Sequence, residues 1–118
     1  MDTRVYVSNF AGHDYADAQR FGELRPITMG FISFQSLDRV KFQIAEGIRD
    51  SRPEDFLVLS GTNIVNVLAA LLWMSMHGKV RILNYDKSTH KYREIVLSDE
   101  SNDLLMKALR NAERNERA

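Results

Sequence analysis

Cysteine is absent from the chain, which excludes disulfides, thiolate metal sites and cysteine nucleophiles together and gives no sign of an oxidising compartment. Charge of one sign is missing too, since Lys+Arg 16 balance Asp+Glu 16. A domain that grips a nucleic-acid duplex carries a clustered basic excess, so no duplex partner is expected. There is also no long hydrophobic run. The longest, Ile64 to Met76, is interrupted by Asn66 and Ser75 and falls short of the roughly 20 residues that cross a bilayer. MDTRVYVSN has neither the apolar core nor the small-residue cleavage site of a secretory signal, so the expected location is the cytoplasm, without membrane contact. The glycine-rich loop and lysine of a Walker motif and the nucleophile elbow G-x-S-x-G are lacking. The three histidines, His13, His77 and His90, show no ligand spacing, so neither metal nor cofactor is expected.

What is present is a chain of 118 residues, 44% hydrophobic and 27% charged, which suits one ordinary domain over residues 1–118. At that size folding hides roughly two-thirds of the unfolded surface. Val5, Tyr6 and Val7 within Arg4 to Ser8 form a short β-rich run fit for a strand covered on both faces. Asn9 to Asp14 reads as a loop. Tyr15 to Phe21 favours a short helix that Gly22 ends in the left-handed conformation. Leu24 to Thr28 is a second strand, placed at an edge because Pro26 has no N–H for a ladder.

Ser36 can cap a helix in which Leu37, Val40, Ile44, Ala45 and Ile48 recur at helical spacing. Arg52 to Asp55 breaks it and leads into a central strand, Phe56 to Ser60. Thr62 or Asn63 caps a third helix that Gly78 ends, followed by a strand through Val80, Ile82 and Leu83. Asp86 to His90 then turns the chain into an antiparallel fifth strand, Lys91 to Leu97. Ser101 can cap a last helix with Leu105, Ala108, Leu109 and Ala112 on one face, and Arg114 to Ala118 is polar enough to fray. The third helix has almost no polar face and needs cover nearly all round. One domain this small rarely supplies it, so a homo-oligomer through the apolar helix Ile64–Met76 is expected, with cover by the last helix as the alternative.

The alternation of strand and helix predicts an α/β fold, a three-layer Rossmann-like domain with strand order 2-1-3-4-5, mostly parallel with an antiparallel edge hairpin. Ligands of such sheets bind where strand order reverses, at the carboxyl ends of the strands. The expected ligand-binding residues are therefore Asn9, Gly12, His13 and Asp14 in the first loop and Ser60, Gly61, Thr62 and Asn63 in the second. Gly61 permits close backbone approach, and the unpaired N–H groups at a helix start suit phosphate. Asp14, Thr62 and Asn63 could equally serve only as caps. A catalytic role for the adjacent pair His13 and Asp14 would demand geometry that a sequence does not fix. Tyr85 and Tyr92 could stack on a base, or pack on each other across the hairpin.

The unit LVLSGTN, helix, KVRILNYD resembles the core of the CARF family of cyclic-oligonucleotide sensors. In that family a Thr-Gly-Gly-Thr-Lys-like turn opens a helix and lines the ligand site; Ser60, Gly61, Thr62 and Asn63 stand at the matching positions, without the second glycine and the lysine. The stretch VYVSNFAGHDYADAQRFGEL followed by PITMG resembles small proteins of tailed bacteriophages. Together the resemblances imply a non-enzymatic module, made in an infected cell, that binds a nucleotide or cyclic nucleotide, a host defence signal among them. The rival readings are a phosphodiesterase or nucleotide hydrolase using His13 or Asp14 in the same crevice, and a protein-interaction module with no small ligand.

Overall fold

A computed structural model describes residues 2–33 and 35–117. β1 (Arg4–Phe10), a short 3-10 helix (Ala16–Phe21), β2 (Glu23–Met29), α1 (Leu37–Ile48), β3 (Phe56–Val58), α2 (Asn63–His77), β4 (Lys79–Asp86), β5 (Lys91–Ser98) and α3 (Asp99–Arg117) follow in order. The sheet has the order β2-β1-β3-β4-β5, parallel except for the antiparallel pair β4 and β5. The expected α/β fold, its strand order and its edge hairpin are all present. Pro26 sits on the edge strand β2 opposite Val7, where a missing N–H costs the sheet nothing.

Alternation along the strands divides the core into two. Tyr6, Leu57 and Val80 face α1 and α2 and pack with Val40, Ile44, Val65 and Trp73. Val5, Val7, Phe56, Val58 and Leu83 point to the opposite face, where the 3-10 helix brings Tyr15 and Ala18. Trp73 is fully buried, edge-on to the ring of Tyr6 at 5.4 Å and to that of His77 at 5.3 Å. At the amino end of the sheet the buried carboxylate of Asp55 accepts the N–H groups of Arg4 and Arg52, both at 2.9 Å. It thereby ties the starts of β1 and β3 together.

Local details depart from expectation for identifiable reasons. The first helix is 3-10 rather than α, and Gly22 after it has φ 157° and ψ 178° instead of the left-handed geometry. Glycine is needed there because a Cβ would lie 2.3 Å from the Thr3 carbonyl oxygen. Gly78 does take the left-handed conformation, at φ 71°, and its N–H caps the Met74 carbonyl. Ser36 and Thr62 occupy the N-cap positions of α1 and α2, but neither side chain makes a capping bond. Ser101 lies inside α3, where its hydroxyl accepts the Ser98 N–H at 3.3 Å, so Ser98 precedes the helix and Ser101 closes its first turn. The polar end expected to fray is helical to Arg117; Ala118 lies outside the described residues.

Cover of α2 by the last helix, the alternative weighed for it, is not realised. α2 buries Val65, Ala69 and Trp73 but leaves Val67 52% and Leu71 61% exposed, and α3 does not pack over it. α3 has its main contacts with β5 alone, and every residue from Asn102 to Asn115 is exposed. The radius of gyration records this projection. It is 16.0 Å, against about 13.5 Å for a compact chain of this length. No described helix is long and apolar enough to cross a membrane.

Candidate functional site at the strand ends

The carboxyl ends of β1 and β3 meet as the topology requires, and the junction is filled with protein. Ser8, fully buried at the end of β1, accepts the Ser60 N–H at 2.8 Å and lies 3.0 Å from the Ser60 carbonyl oxygen and beside the Asn66 side-chain oxygen. This hydroxyl fastens β1 to the turn that opens α2. Asn9, buried as well, donates through Nδ2 to the Gly30 carbonyl at 3.0 Å and accepts from Thr28 Oγ1 at 3.0 Å. Gly61, at φ +75°, rests against it; a Cβ there would come within 2.7 Å of Asn9 Nδ2. The glycine thus admits a neighbouring side chain rather than leaving an open crevice.

The open space lies one strand further along. A concavity of about 430 Å³ is bounded by His13, Asp14 and Tyr15 from the first loop, Val58 to Gly61 at the end of β3, and Leu83, Asn84, Tyr85, Lys87 and Tyr92 from the hairpin. Of the residues expected to bind a ligand, His13, Asp14, Ser60 and Gly61 are brought together here. Asn9 is committed to the junction, and Gly12, Thr62 and Asn63 are absent from the lining.

Tyr15 organises the wall. Its hydroxyl accepts the Ala11 N–H at 3.3 Å, sits 3.3 Å from the Asn9 carbonyl oxygen and shares a 2.7 Å hydrogen bond with Ser60 Oγ. The Asp14 carboxylate accepts the Ala16 N–H at 2.9 Å, so it caps the 3-10 helix as well as lining the space. On the far side the rings of Tyr85 and Tyr92 stand 5.1 Å apart, and the Tyr85 hydroxyl shares a 3.1 Å hydrogen bond with His90 Nδ1. Tyr92 is buried. Burial first, then its neighbours Tyr15, Tyr85, Asp14 and Asp17, push its phenol above the ordinary value. Tyr85 remains 40% exposed and lines the concavity.

The hairpin is held in place by the 3-10 helix. Asp17 accepts the Tyr92 N–H at 2.7 Å, Arg20 donates to the Tyr92 carbonyl at 2.6 Å, and Arg20 pairs with Asp17 at 3.2 Å. Two side chains thereby take the place of a neighbouring strand. The Tyr92 N–H, then the Arg20 guanidinium, hold the Asp17 carboxyl below its ordinary range. Sequence reasoning assigned no ligand role to Asn84 or Lys87. The available signal was the position of the hairpin turn after β4, which places Lys87 at the same sheet end as Ser60.

A larger concavity of about 730 Å³ runs along β2 and α1, lined by Met29, Phe31, Arg39, Phe42 and Glu46 among others. It follows the sheet edge, takes in the carboxyl end of β2 and residues 31–33 after it, and shares no lining residue with the concavity beside Ser60. Among the described residues no group of three His, Asp or Glu could hold a metal ion.

Fold and site define a small α/β module with a concavity at the carboxyl ends of its central strands. Residues 3–99 match the family of phage Pam3 gp32-like proteins, and the chain belongs to that family. The match covers the whole sheet and ends at the first residue of α3. No curated protein and no solved structure matches the chain.

Proposed function

We propose that this phage-family protein binds a nucleotide or cyclic nucleotide in the concavity beside Ser60 and Tyr85, and holds it without transforming it. The supporting observation is that one space of about 430 Å³ joins a half-exposed tyrosine, a lysine and the turn that leads into α2. A base would stack on Tyr85, and a phosphate would lie between Lys87 and the Ser60–Gly61 turn. The resemblance of this unit to cyclic-oligonucleotide sensors supports the same ligand class, with Lys87 supplying from the hairpin the cation that the turn lacks. In an infected cell a module that retains such a ligand would sequester it, and a host defence signal is the ligand that makes sequestration useful.

The test is calorimetric titration with a panel of mono-, di- and cyclic nucleotides, after native mass spectrometry of the purified protein for a retained ligand. Binding weakened roughly tenfold by Tyr85→Ala, the loss of one stacked base, and also by Lys87→Ala, is the expected result. No binding across the panel overturns the reading. Nucleotide turnover that His13→Ala abolishes, with folding intact, replaces it with a hydrolase.

A further inference from the structure

We infer that the ligand of the concavity beside Ser60 is a phosphodiester, a nucleotide whose phosphate carries a single charge, and that nucleoside di- and triphosphates are turned away. This charge limit rests on the nucleotide reading above and adds the ligand's charge to it. Among the described residues that line the space, and with histidine counted as neutral, only Lys87 and Asp14 are charged, one of each sign. The wall offers one cation and has a net charge of zero.

The usual means of holding a multiply charged phosphate is not presented here. Such groups sit on the unpaired N–H groups that open a helix, or in a nest of successive N–H groups. The Ser60 N–H is donated to Ser8 Oγ at 2.8 Å, and Thr62 and Asn63, which open α2, do not line the space. What Ser60 brings is its hydroxyl. It shares a 2.7 Å hydrogen bond with Tyr15 Oη, and when the phenol donates that bond the serine proton is free for a ligand oxygen. One hydroxyl and one ammonium match the two unesterified oxygens of a diester, which share one charge between them.

Asp14 sets the upper limit. Its carboxylate is held beside the space by the Ala16 N–H, accepted at 2.9 Å. Nearby Asp17 is matched by Arg20 at 3.2 Å, whereas among the described residues Asp14 has no ion-pair partner. The negative field reaches Tyr92, whose phenol is raised by burial first, then by Tyr15 and Tyr85, and further by the carboxylates of Asp14 and Asp17. What disfavours a phenolate there disfavours added charge on a ligand. With Lys87 and Asp14 cancelling, each charge beyond the first loses water without a compensating partner.

The test is titration calorimetry without magnesium and at low ionic strength, where exposed charges are least screened, using ligands that share one base: cyclic AMP, cyclic di-AMP, AMP, ADP and ATP. A cyclic diester should bind at least about tenfold more tightly than ATP, and the tighter of the two diesters tells a mononucleotide from a dinucleotide source. Asp14→Asn keeps an oxygen for the Ala16 N–H and removes the charge, so it should tighten ATP by roughly tenfold and the diester by only about threefold. Affinity that rises from AMP to ATP, or a variant that tightens ATP and diester alike, overturns the inference and leaves the nucleotide reading standing. Absence of binding across the whole series overturns that reading and the charge limit with it.

Discussion

β1 and β5 are strands of similar length in one sheet, and their surroundings are opposite. Val5 to Asn9 of β1 are all buried, whereas in β5 only Tyr92 is. Both strands carry β-branched and aromatic residues, so propensity does not separate them. Cover does: β1 has paired strands on both sides and helices on both faces, while β5 has one strand, the 3-10 helix at one end and an α3 that projects away. The packed region explains itself within one chain. The β5–α3 region instead leaves apolar side chains such as Ile95, Leu105 and Leu109 exposed.

Leu57→Ala should have the largest effect, because Leu57 is fully buried on the central strand β3. Deleting a buried leucine side chain costs about 2–5 kcal/mol through lost transfer energy and the cavity left behind. Urea unfolding should show the midpoint falling with little change in slope. A loss under about 1 kcal/mol would mean that the two regions are packed alike.

A smaller effect is expected at the boundary between the regions. Arg81 of β4 pairs with Glu94 of β5 at 2.6 Å, donates to the Glu54 carbonyl at 3.0 Å and stacks 4.1 Å over the Phe56 ring. The hydrogen bond and charge of Arg81 hold the Glu94 carboxyl below its ordinary value. Since the folded pKa lies under the unfolded one, this stabilisation is complete above the ordinary glutamate range and is lost as pH falls through the folded value. The pair is part-exposed, so less than about 1 kcal/mol is expected. Comparing unfolding midpoints at neutral and acid pH, Glu94→Gln should flatten the acid decline. An unchanged decline would assign it to other carboxylates such as Asp17 and Asp86, both also held below their ordinary values.

Strand order was legible in the sequence because Pro26 marked an edge and the alternation from Phe56 to Asp86 marked a central strand–helix–strand unit. The site was legible only by halves. His13, Asp14, Ser60 and Gly61 do share a concavity, but no pattern shows that Asn9 fills the β1–β3 junction, since that depends on Gly61 approaching it across 52 residues of chain. Lys87 and Tyr85 were legible as residues without a destination, because their placement follows from the turn after β4. Where α3 would go was not legible at all: its stripe of Leu105, Ala108, Leu109 and Ala112 fits a helix folded onto its own sheet equally well as one that meets a partner.

That ambiguity frames the smallest expected effect. Leu105→Ala and Leu109→Ala remove as much leucine side chain as a drastic core lesion, yet in the isolated chain those side chains touch mainly water. Surface substitutions away from packed features usually stay within about 0.5 kcal/mol, so in dilute solution the double variant should unfold near the unmodified midpoint. If the chain self-associates, raising its concentration should raise the midpoint of the unmodified protein by mass action and leave the variant behind. The same substitutions would then be silent at one concentration and destabilising at another, which no residue buried within its own chain can be. A loss near that of Leu57→Ala under dilute conditions would instead place α3 against its own domain and remove the contrast between the two regions.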